Sequence, residues 1–184
     1  QSNLIEEITP SIAISDYKYT LSTAYFKGHF YLIAITNSGL KPILLKINGL
    51  SNQTEVLLNN ALDNFSTYGN FVPEGEYLYY LYNASSSTPL ELWRTDGSAN
   101  GFIKLDEYNS ASLSFVKKSN NLIGYGGKIY YFGKKGKILG LYESNGFVNG
   151  TKQLEQISDY DAFRQLTTGP ILLGNLLLFS SEFK

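Results

Sequence analysis

The chain has 184 residues, enough for a domain with a sizeable core, and its formal net charge of −1 provides no field that would attract nucleic acid or an anionic membrane. It has no cysteine, which excludes disulfides and thiolate-bound metals, and no apolar run approaches the roughly 18–20 residues that a membrane-spanning helix needs. Aromatic residues make up 15% of the chain, mostly as 15 Tyr and 11 Phe, and 17 Gly supply turns. This composition favours an all-β fold. Because Gln1 is not a translation start, we expect a processed or trimmed product.

In chain order, the first patterned element is Ile5–Ile8 (IEEI), which resembles Leu154–Ile157 (LEQI) near the other end of the chain. Four aromatic or apolar runs follow, with starts separated by 47, 52 and 48 residues. They begin at His29, Glu76, Lys128 and Leu176. Such spacing indicates an internal repeat, which must be recognised before a fold is assigned.

A turn motif follows three of these runs. Residues 92–105 (LWRTDGSANGFIKL) match residues 141–154 (LYESNGFVNGTKQL) at an offset of 49, and residues 44–57 (LLKINGLSNQTEVL) form a weaker copy at an offset of 48. Asp-Gly and Asn-Gly between apolar segments are strong hairpin signals, because both residues of a type I′ turn need positive φ. We therefore predict turns at Asn48, Asp96 and Asn145, and in the second copy the downstream Asn100-Gly101 ends the same loop before the next strand.

Each repeat predicts several short antiparallel strands. In the second copy these are the aromatic run, Leu90–Arg94, Phe102–Leu105 and a fourth strand around Ser112–Val116. Four such strands in 40–50 residues are typical of a β-propeller blade. We predict one propeller-like domain of about four blades, with units at 29–75, 76–127 and 128–175. Residues 1–28 and 176–184 supply the remaining unit if the two chain ends close it; in the alternative, the chain is a piece of a larger ring.

The Leu92–Gly101 segment, with Glu91 before it, resembles the ELWxxDGTxxGT repeat of secreted and cell-surface propeller-like proteins. Leu141–Thr151 is similar to a diverged copy that keeps the final Gly-Thr. Ser98 and Phe102 depart from the pattern, since both replace Thr. The resemblance implies a propeller architecture and a secreted or cell-surface location, and it implies no particular activity because such families are functionally diverse.

Tyrosine is the most suggestive residue type for binding. The chain has more tyrosines than we expect to be buried with satisfied hydroxyl groups, and an exposed Tyr gives a rigid contact for protein partners or a flat face for sugar rings. The alternative is that Tyr fills strand positions. As binding candidates we take the Tyr-rich segments of two aromatic runs: Tyr79, Tyr80, Tyr82, Tyr130 and Tyr131.

Catalytic and metal-binding candidates are few. His29 is the one histidine, and a lone His beside a turn favours a structural role. Asp159 and Asp161 would share a strand face and are weak candidates for calcium; otherwise no cofactor is expected. Asp96 aligns with Asn48 and Asn145, and an acid that Asn replaces within one chain indicates a role in turn geometry.

Trp93 aligns with Leu45 and Tyr142. A position that accepts Trp, Leu and Tyr in the three copies favours packing in the core between blades, and it argues against a platform for sugar rings.

Three functions follow from these observations. The first is a non-enzymatic extracellular or cell-surface module that binds or adheres to a protein or a surface glycan through Tyr-rich loops and blade faces. The second is a carbohydrate-binding module. The third is a polysaccharide-acting enzyme, which would need two converging carboxylates about 5–9 Å apart.

Overall fold

The computed structural model describes eight stretches of the chain, which are residues 17–36, 42–51, 53–58, 71–83, 89–108, 122–135, 138–159 and 171–178. Every regular element in these stretches is a β-strand. The chain divides into two compact units, Gln1–Asp63 and Asn64–Lys184. Within the described residues the fold is therefore all-β, as the composition predicted.

The first unit contains one four-stranded antiparallel sheet with the strand order β1-β2-β3-β4. Its strands are β1 (Tyr17–Phe26), β2 (His29–Thr36), β3 (Pro42–Asn48) and β4 (Thr54–Leu58). Each strand pairs with the next one in the sequence, so the sheet is a meander.

The second unit contains two more four-stranded meanders and a two-stranded hairpin, all of them antiparallel. One sheet comprises β5 (Val72–Glu74), β6 (Tyr77–Asn83), β7 (Leu90–Thr95) and β8 (Ile103–Tyr108). The next comprises β9 (Leu122–Tyr125), β10 (Lys128–Lys135), β11 (Ile138–Ser144) and β12 (Thr151–Asp159). The hairpin comprises β13 (Ile171–Leu173) and β14 (Leu176–Leu178).

The repeat is confirmed, but its predicted boundaries are displaced by one strand. The aromatic runs form β2, β6, β10 and β14, which are the second strands of their sheets. Predicted units 29–75, 76–127 and 128–175 would each begin at that second strand. The displacement arises because the preceding strands are short or lack an alternating pattern, as in Val72–Glu74. The predicted strand at Ser112–Val116 lies outside the described residues, as do Ile5–Ile8 and the ends of the chain.

Two-residue hairpins connect the first and second strands of the described sheets. Lys27-Gly28 has φ of 48° and 78°, and Gly126-Gly127 has φ of 61° and 77°. Positive φ at both residues is the signature of a type I′ turn, which matches the twist of the flanking strands. In the other two hairpins the turn residues are Gly75-Glu76 and Gly174-Asn175. Only the glycine of each pair has positive φ, as in a type II′ turn.

The Asp/Asn-Gly motif instead begins a longer loop between the third and fourth strands. Asn100-Gly101 ends this loop before β8, as the sequence predicted. The expectation of positive φ at both turn residues is wrong, because Gly97 and Gly146 have φ of 89° and 81° whereas Asp96 and Asn145 do not have positive φ. In each copy the side-chain oxygen of the Asp or Asn accepts a hydrogen bond from the backbone amide two residues later in the chain. The pairs are Asn48 Oδ1 and Leu50 N at 2.8 Å, Asp96 Oδ1 and Ser98 N at 2.9 Å, and Asn145 Oδ1 and Phe147 N at 3.1 Å. This is the Asx turn, which short amide and carboxylate side chains favour.

The largest buried cluster of the second unit joins the facing sides of its two four-stranded sheets. Tyr79 and Leu92 contribute from one sheet, and Ile129 and Tyr131 contribute from the other. The four side chains are between 0% and 2% exposed. Burial of large aromatic and aliphatic side chains, at about 25 cal/mol per Å², makes this cluster a stabilising contact between the two sheets.

Candidate functional site

The structure first tests the predicted exposure of the binding tyrosines. Tyr79, Tyr80 and Tyr131 are buried, at 2%, 5% and 0% exposure, so the expectation that these rings are exposed is wrong. Tyr130 is half-buried. Tyr82 lies in β6, and its side chain is outside the described residues. The alternative interpretation, in which Tyr fills strand positions, applies to the three buried rings.

The buried hydroxyls are accommodated because polar partners are buried with them. Tyr108, Tyr131 and Tyr142 form one aromatic cluster with ring centroids 5.2–5.9 Å apart. The Tyr108 hydroxyl donates to Asp106 Oδ2 at 2.6 Å and also hydrogen-bonds the Tyr131 hydroxyl. Lys135 Nζ donates to both oxygens of Asp106, at 2.8 and 2.9 Å. The sequence analysis did not anticipate this network, which lets tyrosine serve as a core residue.

The same network suppresses ionisation of its phenols. Burial raises the pKa of Tyr108 well above its ordinary value, and the neighbouring Tyr131 and Asp106 raise it further. Burial also raises the pKa of Tyr131, although its hydrogen bond with Tyr108 opposes this effect. Neutral phenols of this kind are structural donors and acceptors, and they supply no base near neutral pH.

The structure does not test the acidic candidates for calcium. Asp159 ends β12 with its side chain outside the described residues, and Asp161 lies outside them altogether, so the calcium site stays a prediction. His29 Nδ1 lies 2.8 Å from the Lys27 carbonyl oxygen, which can only accept, so the bond needs a proton on Nδ1. Within the stretches that the structure describes, no three acidic or histidine side chains are grouped as a metal would require.

The motif residues prove to be scaffold. Asp96 caps its loop, accepting also from the Ser98 hydroxyl at 2.7 Å, which confirms a role in turn geometry. Trp93 is half-buried, and its indole nitrogen donates to Glu91 Oε2 at 2.8 Å, whereas Leu45 and Tyr142 at the equivalent position are each 2% exposed. The position is therefore buried in the first and third copies and partly exposed in the second copy.

An exposed apolar cleft is present on the first unit, where the sequence analysis proposed no site. The Tyr25 cleft, as we name it, encloses about 460 Å³ and is lined by Tyr25, Gly28, Phe30, Gly49 and Leu50. Leu50 is 98% exposed, Tyr25 60% and Phe30 42%. This volume is within the range of about 300–1,000 Å³ that is usual for ligand pockets.

The backbone around the Tyr25 cleft is held at several points. The β1–β2 turn is of type I′, and Tyr25 pairs with Phe30 across it. The Gly49 amide donates to the Gly28 carbonyl at 3.4 Å, which connects the Asx loop to the hairpin tip. Asn48 Oδ1 accepts from the amides of both Leu50 and Ser51. The cleft is thus formed by two interlinked turns rather than by a long loop.

A second arrangement of interest lies on β11, where Glu143 is 8% exposed. Lys128 Nζ lies 2.9 Å and Lys152 Nζ 3.2 Å from Glu143 Oε1. Burial by itself would raise the pKa of Glu143, but the hydrogen bonds and charges of the two lysines outweigh it, so that the pKa is lowered from its ordinary value. The carboxylate is neutralised on both sides, which suits a structural ion pair.

Comparison with known proteins gives limited information. No protein-family model matches the chain, and no curated protein matches it. Among solved structures, the chain is similar to one in the crystal structure of a nidogen/laminin complex, with 12% identity and a TM-score of 0.44. The match covers 80% of this chain and 51% of the other, so the chain spans about half the length of that neighbour. No helix in the described stretches is long and apolar enough to cross a bilayer.

Proposed function

We propose that this protein is a non-enzymatic binding module, and that the Tyr25 cleft receives an apolar side chain of a protein partner. The observation that supports this is the exposure of Tyr25, Phe30 and Leu50 around one cleft, at 60%, 42% and 98%. Aromatic side chains are enriched at protein interfaces, and Tyr is among the residue types that carry most of their binding energy.

The chemistry of the Tyr25 cleft favours a protein over a sugar. The Tyr25 and Phe30 rings have centroids 5.0 Å apart but are inclined at 56°, so they do not form one flat platform for a pyranose ring. Leu50 adds an aliphatic surface, and among the five lining residues the Tyr25 hydroxyl is the one polar side-chain group. A sugar needs several polar groups for its hydroxyls, whereas an apolar side chain needs only shape and apolar area.

The rest of the functional interpretation is a proposal of the same kind. The three sheets share the motif that resembles the ELWxxDGTxxGT repeat, and each is a four-stranded meander. We take the chain to be a secreted or cell-surface member of that repeat family, with each sheet as a propeller blade.

The partner can be sought with a photo-crosslinking amino acid at position 50. Leu50 is almost fully exposed, so the substitution leaves the fold unchanged, and position 55 on the same sheet is the matched control because Glu55 is also exposed. We expect crosslinks to one defined protein from position 50 and none from position 55. A crosslinked homodimer would identify a second copy of the chain as that partner.

Affinity measurements with the partner then test the cleft itself. Tyr25→Ala, Phe30→Ala and Leu50→Ala should each weaken binding roughly tenfold, the loss of a moderate interface anchor. Leu50→Ala should melt at the wild-type temperature, because its side chain is exposed. A glycan array gives the decisive alternative: strong binding of a defined glycan that Tyr25→Ala abolishes would establish a carbohydrate-binding module and overturn the proposal.

A further inference from the structure

The three copies of the repeat place a charged residue at the same position of the third strand. These residues are Lys46, Arg94 and Glu143. In the first sheet, Lys46 pairs in register with Glu55, and their charged groups are 3.6 Å apart. In the third sheet, Glu143 pairs in register with Lys152, at 3.2 Å. Opposite charges on facing positions of adjacent strands stabilise a sheet.

Arg94 departs from this arrangement. Its register partners are Tyr79 on β6 and Ile103 on β8, so the position that holds an opposite charge in the other two sheets is aliphatic here. The side chain is nevertheless 7% exposed, and its Nε and Nη1 atoms are buried without a hydrogen-bond partner. A buried cation without a counter-charge is costly, and native proteins rarely retain one without a reason.

Acidic groups elsewhere in the second sheet are engaged by other partners. Glu91 lies 3.2 Å from Lys104, and Glu107 lies 3.1 Å from the same lysine. Glu74 Oε1 accepts from the Gly127 amide at 2.6 Å. Within the described residues of this sheet, the charge of Arg94 is therefore not matched by a carboxylate.

Two aromatic rings surround the Arg94 guanidinium. Its central carbon lies 3.6 Å from the centroid of Tyr77 and 5.4 Å from that of Phe147. Phe147 and Val148, in the loop between β11 and β12, are each 58% exposed. The planar guanidinium stacks on the Tyr77 ring, and the 7% of Arg94 that is exposed is the part that a carboxylate can reach first. The cation thus lies directly beneath an exposed apolar rim.

We propose that Arg94, flanked by Tyr77 and Phe147, binds a carboxylate of an acidic side chain within an apolar segment of a protein partner. The single positive charge corresponds to the single charge of a carboxylate, whereas a phosphate dianion would require a second cation. The apolar rim of Phe147 and Val148 contacts the residues beside the acid, and the guanidinium supplies charge-assisted hydrogen bonds. This site belongs to the second unit, and the inference does not depend on the Tyr25 cleft.

Nuclear magnetic resonance of the arginine side chains tests this directly, because the chain has two arginines, Arg94 and Arg164. The probe is an acetylated, amidated Leu-Glu-Leu-Glu-Leu peptide, with Leu-Gln-Leu-Gln-Leu as its neutral control. We expect the Nε–H signal of Arg94 to shift progressively with the Glu peptide and not with the Gln peptide. The Arg164 signal serves as the internal reference, and the wild-type protein suffices for this measurement.

Two variants separate binding from structure. Arg94→Met removes the unpaired charge but keeps the length and apolar stem, so we expect an unchanged or higher melting temperature and loss of peptide binding. Arg94→Lys keeps the charge without the planar stack, and its affinity should fall roughly tenfold.

Three outcomes would overturn the inference. The first is an Arg94 signal that stays unchanged at saturating Glu peptide, and the second is an equal shift with the Glu and Gln peptides. The third is tighter binding of inorganic phosphate than of the Glu peptide, with both followed by the Arg94 signal. A marked fall in the melting temperature of Arg94→Met with unchanged peptide binding would indicate a purely structural arginine.

Discussion

The carboxylate of Asp96 occupies the space that a side chain at Gly101 would need. A Cβ atom at Gly101 would overlap Asp96 Oδ1 and lie 2.8 Å from the Ser98 hydroxyl. In the third sheet the same relationship holds between Asn145 and Gly150. The two halves of the motif, Asp/Asn-Gly and Asn-Gly, are therefore physically coupled: the first residue folds its side chain over the last glycine, and the glycine leaves room for it.

Gly101→Ala should destabilise the second unit. The added methyl group displaces the Asp96 side chain, which then loses its bonds to the amide and hydroxyl of Ser98, at a cost of about 1–3 kcal/mol. Urea unfolding followed by the fluorescence of Trp93 measures the change. Gly49→Ala is the control, since its Cβ would make ordinary contact at 3.4 Å with the Phe30 ring and should change stability little.

A double-mutant cycle isolates the cause of that loss. In an Asp96→Ala background the overlap is absent, so Gly101→Ala should cost markedly less than it does in the wild type. Equal costs in the two backgrounds would show that the glycine is required for its backbone conformation rather than for the space it leaves.

Gly133→Ala should disturb the aromatic cluster. A Cβ atom at Gly133 would lie 2.6 Å from Cδ1 of Tyr108, whose ring is 1% exposed and cannot move aside. Overpacking of a buried site costs about 1–3 kcal/mol. The near-ultraviolet circular dichroism of the packed tyrosines should weaken together with the melting temperature. A variant with wild-type values of both would refute the close packing of β10 against Tyr108.

The sequence predicted the architecture better than it predicted the sites. The aromatic runs locate strands well, since His29, Lys128 and Leu176 each begin one, and the repeat correctly indicates four-stranded sheets. The turns at Asp-Gly and Asn-Gly were located correctly, but they are Asx-capped loops and not type I′ turns, because the same residues favour both. In the second and third sheets the capping side chain also covers the second glycine, whereas Asn48 in the first sheet makes the same turn with Gln53 at that position.

Binding residues were harder to predict, because exposure is decided by strand pairing. Tyr79 and Tyr131 have the composition of a binding surface, yet they face the adjacent sheet. The Arg94 site had a signal in the sequence that was not used. The position that faces this charged residue is Glu55 in the first copy, Ile103 at an offset of 48 in the second, and Lys152 at a further offset of 49 in the third. The aliphatic residue in the second copy marks Arg94 as the residue without an opposite charge on the facing strand.

Glu143→Gln should alter the acid sensitivity of the protein. The pKa of Glu143 is lowered in the folded state from an ordinary value of 4.5, so its stabilising effect is fully present above about pH 4.5 and is lost as the pH falls through the lower folded value. Between about pH 6 and pH 3, the free energy of unfolding should fall more in the wild type than in the variant. At neutral pH the variant should be less stable by about 1 kcal/mol, as for a partly exposed ion pair.

The control for this experiment is Glu55→Gln, which removes the acid of a more exposed pair with Lys46 in the first sheet. Its stability at neutral pH should differ little from that of the wild type, because solvent screens that pair. Parallel pH curves for the wild type and Glu143→Gln would contradict the assigned role of Glu143.

Alkaline pH should unfold the protein through the tyrosine network. Burial raises the pKa of Tyr108 and Tyr131 above the ordinary value of 10.0, so the folded state retains neutral phenols while the unfolded chain ionises near pH 10. The stabilising effect is complete below that pH and is lost as the pH rises beyond it. Urea unfolding between about pH 8 and pH 11 should show a steeper decline for the wild type than for Tyr131→Phe, which removes one ionisable phenol. As the pH rises, absorbance at the phenolate band should increase in two steps, and the second step should coincide with loss of structure. A single step near pH 10 with the fold intact would show that the Tyr108 and Tyr131 hydroxyls are accessible to solvent.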